Sequence, residues 1–517
     1  MLRKNVVLVN LTSDMIRDRE FYRKNKGQNF INIGLLVVAT MLKKQGYNIS
    51  IIDMAYEENY QQLIRSSLDE TTAFVGLSVM TSQVPAALEI SRLVKNINPS
   101  IPVVWGGPHP TFFIEETARS SLVDVAVVNE SLKILPELAK RLSERDLLTG
   151  LHGIAYKNDK QIIYAPNTDL DDIYDLGAID HSCYDSTLYT KSPLFTPPLN
   201  KDQVVSYPLI TGLGCCFKCR FCLNVILKRK YRSKTPEVII EELKDLQKKY
   251  GANAIWFMDE DFFINKKRTI ELFKLVEKEN LKFYWRSWVR VDHFKENYLD
   301  KKTVSWLTDL GWVWSSLGAE SGSVKSLTYI QKGIQPEQII NSAKILSEVS
   351  SKNQHWARYT FIVGLPNETI DDVLKTFSLA SKIRMINPLT DITIAIFRPY
   401  PGSPMSKELM DKGNLSYPEK LEDWEGVFSN HGFMDESSTP WLSQKERSEI
   451  ATLHAFFGMI KGGSIQKIGL LRYFINQWIL WRIENNFFLF PIEKILFYSF
   501  WIRIRMYFLS RSQLKRA

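Results

Sequence analysis

Gly214-Cys215-Cys216-Phe217-Lys218-Cys219-Arg220-Phe221-Cys222 sets three of the chain's five cysteines in the order C-x-x-x-C-x-x-C, at 215, 219 and 222. Three thiolates on one short loop can hold three irons of a [4Fe–4S] cube; with no fourth cysteine at a fixed offset, one iron stays open to a substrate or cofactor. A structural zinc site wants four ligands, typically two C-x-x-C pairs apart in sequence, and only Cys216 or Cys183 is left to complete such a set. A disulfide is at odds with the start MLRKNVVLVNLTSD, which lacks the apolar core and small-residue cleavage site of a secretory signal. The spacing favours a cluster, with zinc or redox-active cysteines as the alternatives.

The strand-like Tyr207-Pro-Leu-Ile-Thr211 ahead of the loop, and Phe217 and Phe221 between the ligands, resemble the cluster loop of radical S-adenosylmethionine (SAM) enzymes. The resemblance implies Cys215, Cys219 and Cys222 as iron ligands. Where Cys216 stands the family usually has proline; Cys216 cannot replace Cys215 without breaking the spacing, so it is read as a neighbour of the cluster.

At 517 residues, 45% hydrophobic and 24% charged, the chain is long enough for two or three folded domains. Its net charge of +9 is uneven: residues 461–517 hold ten Lys or Arg against Glu484 and Glu493. The basic character belongs to the tail and does not imply a nucleic-acid surface on the body.

Residues 1–145 alternate short apolar strands (Val6–Val9, Ile49–Ile52, Phe74–Val79, Val103–Trp105, Val125–Val128) with amphipathic helices starting near Ile33, Gln61, Pro85, Phe112 and Leu132. That alternation predicts a doubly wound parallel sheet, with ligands beyond the carboxyl ends of the strands. Those ends carry Ser78-Val-Met-Thr81, Gly106-Gly107-Pro-His109-Pro-Thr111 and Asn129-Glu130-Ser131. A glycine pair lets a bulky ligand approach the backbone, or simply makes a turn. With Ile33-Gly-Leu-Leu and Gly46-Tyr-Asn-Ile-Ser-Ile-Ile-Asp53, the segment resembles the cobalamin-binding domain that precedes many radical SAM domains. The resemblance implies cobalamin contacts from Ser78, Thr81, Gly106, Gly107 and Glu130. The D-x-H-x-x-G loop of other cobalamin proteins is absent, which implies no histidine on cobalt, and Asn129-Glu130-Ser131 stands where the family more often has Gly-Glu-Gly. A nucleotide-binding or structural Rossmann-like domain is the alternative, without a G-x-G-x-x-G to support it. His109 fits either a place near the corrin or a turn.

Residues 146–200 read as a connector, with a hairpin of Gly153–Tyr156 and Ile162–Tyr164 around Asn158-Asp159; Cys183 within it reads as a packed or idle thiol.

From 201 to 425 strands and helices alternate as in a partial (β/α) barrel, whose chemistry sits at strand carboxyl ends. Ala254–Met258 runs into Asp259-Glu260-Asp261, where a carboxylate can accept from the SAM ammonium or merely favour a helix N-terminus. Trp314-Ser-Ser-Leu-Gly-Ala-Glu320-Ser321-Gly322 resembles the family's Gly-x-Glu-Ser-Gly strand end at the SAM ribose and methionine. Thr360–Thr369 resembles the strand near the adenine, with Gly364 in it and Asn367 where glycine is commoner. The resemblance thus implies Asp259, Asp261, Glu320, Ser321 and Gly364 around SAM. Arg290-Val-Asp292 and Pro399–Pro404 also stand where related enzymes have similar residues.

Residues 426–517 read as a basic, helical C-terminal region. Leu471, Phe474, Ile475, Trp478 and Trp481 recur at helical spacing with Arg472 and Arg482 at the edge, and a second helix can start at Pro491. The longest uncharged run there, Tyr473–Trp481, is far shorter than the roughly 20 residues of a span. Such helices suit either a membrane interface or a cap on the barrel.

The family resemblance as a whole implies an α/β cytoplasmic enzyme: a Rossmann-like cobalamin domain, a radical SAM barrel and a helical tail. In it a reduced [4Fe–4S] cluster, supplied by flavodoxin or ferredoxin, cleaves SAM to a 5′-deoxyadenosyl radical, and cobalamin carries a methyl group to an unactivated carbon. Cyclisation, oxidation or rearrangement without methyl transfer is the alternative outcome. The substrate is a small molecule or lipid, the latter consistent with peripheral membrane contact through the tail.

Overall fold

The run Asn5-Val-Val-Leu-Val-Asn10 is buried on both faces, as a parallel strand covered by helices on either side must be. In the computed structural model it is strand β1 (Asn5–Asn10), followed by β2 (Asn48–Asp53), β3 (Thr72–Ser78), β4 (Val103–Gly106) and β5 (Val125–Val127). The residues described are 3–12, 32–130, 132–159, 161–167, 172–192, 195, 199–227, 229–353, 355–387, 390–425 and 439–461, with Trp478, Trp481 and Arg482. Asn32 caps the helix Ile33–Lys44 by accepting from the Leu35 amide at 3.2 Å, and Lys43 and Lys44 lie in its last turn where cations favour the dipole.

These five strands are parallel in the order β2-β1-β3-β4-β5. The hairpin β6 (Ile154–Asn158) and β7 (Gln161–Ala165), read from sequence as connector, instead extends this sheet: β6 pairs antiparallel with β5, Ala155 opposite Ala126. Nothing in the hairpin's residues says which edge it will join. The helix expected near Phe112 is two short ones, Pro108–Phe112 and Ile114–Arg119, and the one expected near Leu132 starts at Leu135.

The second sheet begins with β8 (Ser206–Leu209). A small antiparallel ribbon follows, β9 (Gly212–Leu213) against β10 (Arg232–Ser233), and then β11 (Ala254–Phe257), β12 (Tyr284–Val289), β13 (Trp312–Glu320), β14 (Trp356–Val363) and β15 (Thr390–Ile396). The order β15-β14-β13-β12-β11-β8 is parallel throughout, an open barrel whose convex face is sealed by helices including Pro236–Tyr250 and Lys266–Lys278. Trp285 stacks between Phe273 at 4.4 Å and Trp312 at 5.1 Å there.

After β15 the chain returns to the first sheet, where Leu421 and Trp424 are buried in the core beside the helix Val84–Ile97. The helix Gln444–Lys461 then packs on the barrel, with Leu453 and Phe457 in its core. The described start of the region read as a tail is therefore barrel. Its two amphipathic faces lie outside the described residues save Trp478, Trp481 and Arg482, and among the described residues no helix is long and apolar enough to cross a membrane.

Candidate active site

The cysteine loop hangs from the end of β8 and is closed at its base by the β9–β10 ribbon. Gly214 starts it at φ +81°, where an added Cβ would lie 2.5 Å from the Lys230 carbonyl oxygen; only glycine fits so close a crossing. Cys219 is buried, Cys215 and Cys222 are half-buried, and Cys216 is exposed. Burial pushes the Cys215 thiol up to about 12 and Cys222 upward as well, so the thiolates need a positive partner. Among the described residues no three His, Cys, Asp or Glu side chains converge on a point that one metal ion could occupy. Three cysteines on one short loop, the buried one beside the Arg290 guanidinium, match the donor set of a cluster with one open iron, whereas a structural zinc site wants a fourth ligand.

Cations frame the loop. The Arg290 guanidinium lies 3.6 Å over the Phe217 ring, and its Nη1 is 4.0 Å from the Cys219 sulfur. Its other donors go to Asp292 and to the Lys332 carbonyl. Lys332, itself buried, donates to Glu320 Oε1 at 2.7 Å; burial opposes its charge, but Glu320 and Cys219 hold it above its ordinary range. Arg220 staples the loop to the barrel through the Tyr329 carbonyl and Glu408.

The expected SAM residues gather along the carboxyl edge of β11, β13 and β14 but do unlike things. Asp259 is a structural carboxylate: it accepts from the Thr211 amide at 2.8 Å and hydroxyl at 2.7 Å, and pairs with Arg268 at 3.3 Å. Its oxygens are spent on holding the end of β8, so the ammonium expected there has no purchase on it. Asp261 faces His293 Nε2 at 2.8 Å. Glu260 between them accepts from the Gly214 amide at 3.0 Å, lies 3.9 Å from Arg229 and is the one of that trio that is partly exposed, which leaves it the most reachable for an ammonium. Glu320 sits at φ +63°, at a register shift of the β13–β14 pairing; a non-glycine residue held left-handed at a strand end marks a constrained site. Ser321 is drawn into the following turn by Thr376 and the Ser323 amide. Gly364, at φ +78°, donates to Glu368, whose carboxyl burial pushes up to about 7.

The facing edge belongs to the first sheet, where Ser78 ends β3, Gly106-Gly107 ends β4 and Thr81 opens the turn between. Gly107 is needed by the fold itself, being at φ +95° with the Val79 amide 3.0 Å from an added Cβ. Gly106 is not: an added Cβ would meet only Val127, at 3.8 Å. Its missing side chain leaves open space of the kind a flat macrocycle needs. Glu130 does not face that space alone. It forks onto Arg232 at 2.6 and 2.8 Å and lies 3.5 Å from Arg229, so the loop expected to hold cobalamin clasps the cluster lobe. His109 is fully buried among Phe113, Trp424 and Glu116, which settles it as a packing residue.

Sequence reasoning missed Lys332, Arg220, Arg268 and Arg232, which lie in unremarkable charged contexts. Arg232, ten residues past Cys222 and in a short strand, offered the one local hint.

Comparison with known proteins agrees with this architecture. The B12 binding domain family matches residues 21–139, and the Radical SAM superfamily matches residues 209–380. A Pyrococcus horikoshii protein named uncharacterized methyltransferase PH0819 is 30% identical over 72% of this chain and 76% of its own length. The anaerobic magnesium-protoporphyrin IX monomethyl ester cyclase of Rubrivivax gelatinosus is 26% identical over 72% of this chain and 65% of its own. Among solved structures, the cobalamin-dependent SAM radical enzyme OxsB, with aqua-cobalamin and SAM bound, superposes with a TM-score of 0.66 at 18% identity, covering 93% of this chain and 71% of that one. The radical SAM methyltransferase TsrM of Kitasatospora setae does so at 0.61 and 14%, covering 87% and 89%.

Proposed function

The chain belongs to the radical SAM enzymes that carry a B12-binding domain, and we propose that within them it is a C-methyltransferase acting on an unactivated carbon. The observation that carries this reading is the clasp of Glu130 on Arg232 and Arg229, which turns the open Gly106 edge of one sheet toward the cysteine lobe of the other. When bound, the cluster supplies the electron that cleaves SAM and the corrin supplies the methyl group.

This chain's own residues do the holding. Cys215, Cys219 and Cys222 carry the cluster, with Arg290 and Lys332 offsetting its negative charge. Glu260 and Glu320 orient the methionine and ribose ends of SAM, Asp261 braces His293 beneath them, and Gly364 keeps the next strand end tight. Ser78, Thr81, Gly106 and Gly107 seat the corrin, and the clasp keeps the two edges together and water out of the space between them.

The test is a reaction with reductant, SAM carrying a labelled methyl group, and candidate substrates. A methyltransferase forms 5′-deoxyadenosine and S-adenosylhomocysteine in comparable amounts and puts the label in product. Formation of 5′-deoxyadenosine alone at full turnover overturns methyl transfer in favour of cyclisation or oxidation. The proposal includes a cytoplasmic setting with a flavodoxin- or ferredoxin-type donor, and a membrane-surface role for the basic residues beyond 461. The latter rests on charge and aromatic content, and equal sedimentation of full-length and 465-truncated protein with anionic vesicles would refute it.

A further inference from the structure

The loop after the helix Val324–Tyr329 is bent inward around one lysine. Gln331 at φ +52° and Gly333 at φ +71° flank Lys332, whose amide closes the helix end on the Leu327 carbonyl at 3.0 Å, a left-handed helix end. Carbonyls of this loop tie it to the cysteine lobe: the Arg220 amide donates to Ile330 at 3.0 Å, Arg220 Nη1 to Tyr329 at 3.1 Å and Arg290 Nη2 to Lys332 at 2.7 Å. The Lys332 ammonium and Glu320 Oε1, 2.7 Å apart, lie against the bare backbone of β13. A Cβ added at Gly318 would stand 2.8 Å from the one and 2.5 Å from the other.

Two observations set this pair apart from the salt bridges of the outer surface. The side chains of Lys332 and Glu320 are only 9% and 8% exposed, and a pair so buried is often no more stabilising than apolar side chains of its size. Its ammonium end also faces the cysteine loop, with Nζ 6.0 Å from the ring of Phe221, which stands between Cys219 and Cys222. The Arg290 guanidinium covers Phe217, between Cys215 and Cys219, at 3.6 Å. The two cations do different things there. Arg290 has its charge answered by Asp292 and aims Nη1 at the Cys219 sulfur, 4.0 Å away; Lys332 touches no sulfur and contributes charge alone. Hydrogen bonds to sulfur and local net charge are two of the levers that set the reduction potential of an iron–sulfur cluster.

We propose that Lys332 is a positioning residue that acts through the cysteine lobe: its buried ammonium makes the cluster carried by Cys215, Cys219 and Cys222 easier to reduce, and Glu320 tempers that effect. One electron from the low-potential donor adds one negative charge to the lobe. A cation already fixed nearby in a water-poor interior favours the reduced form without having to move. Glu320 holds the opposite charge against the same ammonium, so removing one partner or the other shifts the potential in opposite directions. Loosened packing would shift both variants the same way.

This rests on the radical SAM reading but is tested apart from it, by anaerobic redox titration of the cluster-loaded full-length protein without SAM, followed through the electron paramagnetic resonance signal of the reduced cluster. Lys332→Met should make reduction about tenfold harder, a fall of about 59 mV for one electron, while Lys332→Arg, which keeps the charge, should restore most of it. Glu320→Gln should make reduction several-fold easier. Lys332→Met combined with Glu320→Gln strands neither charge, and should lie about tenfold below Glu320→Gln alone; this comparison isolates the lysine charge even where Lys332→Met by itself does not load iron. A double variant with the potential of Glu320→Gln, or shifts of the same sign in Lys332→Met and Glu320→Gln, overturns the proposal. A wild-type protein that yields no reducible [4Fe–4S] signal would instead count against the radical SAM reading.

Discussion

The two facing sheet edges are built by opposite means. The barrel edge is made of polar side chains, most of them charged, locked to one another: Arg290 to Asp292, Lys332 to Glu320, Asp259 to Arg268, His293 to Asp261. The first sheet's edge is made of what is left out, with Gly106, Gly107, Ser78 and Thr81 as its main parts. A small, highly charged cluster and cosubstrate need preorganised countercharge, whereas a broad macrocycle needs a floor without side chains. One edge should therefore fail when a charge is removed, the other when a side chain is added.

The largest expected effect is all-or-none. Cys215, Cys219 or Cys222→Ala should abolish the iron–sulfur chromophore after anaerobic reconstitution, and Cys216→Ala and Cys183→Ala should leave it; a cluster surviving Cys219→Ala would break the comparison at its centre.

Next comes the countercharge. Lys332→Met strands a buried Glu320 and should cost about 3–5 kcal/mol in denaturant unfolding, most of it recovered by adding Glu320→Gln. If the single variant is as stable as wild type, the barrel edge is not a locked network.

A pH effect of up to about 3 kcal/mol is expected at Gly364. Burial raises Glu368 to about 7 from an ordinary value near 4.5, so the folded state holds a proton that the unfolded chain releases. Its contribution is intact below about pH 4.5 and is lost as pH rises through 7. Thermal unfolding of Glu368→Gln should thus show a flatter decline between pH 5 and 8 than wild type, and parallel curves would refute the burial argument.

The glycines sharpen the contrast. Gly107→Val should lose cobalamin and about 1–3 kcal/mol of stability, because its φ is left-handed. Gly106→Val should lose cobalamin with stability within about 0.5 kcal/mol of wild type. Retention of cobalamin by Gly106→Val would mean that the corrin does not lie on that edge. The smallest effect belongs to the clasp: Glu130→Gln should cost about 1 kcal/mol and slow methyl transfer more than SAM cleavage, and equal slowing of the two would deny the clasp a part in alignment.

The five parallel strands of the first sheet and the alternation of the barrel were legible because parallel strands buried on both faces advertise themselves as continuous apolar runs; their order in the sheet was not. The hairpin's edge was not, since β6 and β7 carry ordinary amphipathic residues and only β5's open side receives them. Tryptophan shows the limit most sharply. Trp285 and Trp312 on β12 and β13 are core, their N–H groups satisfied by the Leu310 and Trp314 carbonyls. Trp314, past a register shift in the β12–β13 pairing, faces the other way, and its N–H has no acceptor among the described residues. Residue type is the same, and only the face of the sheet separates the two environments.

By itself the sequence singled out Cys215, Cys219 and Cys222 as the candidate cluster ligands, because three thiolates within eight residues can converge with no help from distant chain. It also determined the two α/β units, because periodicity is a local property. Tertiary structure alone decided that Asp259 is spent on Thr211 and Arg268 while Glu260 is partly exposed, that Glu130 pairs with Arg232 and Arg229, that His109 is packed among aromatic rings, and that Lys332 pairs with Glu320. Each of those roles depends on a partner tens to hundreds of residues away, or on which side of a strand faces it, and a carboxylate or lysine looks the same in sequence whether its countercharge is present or not.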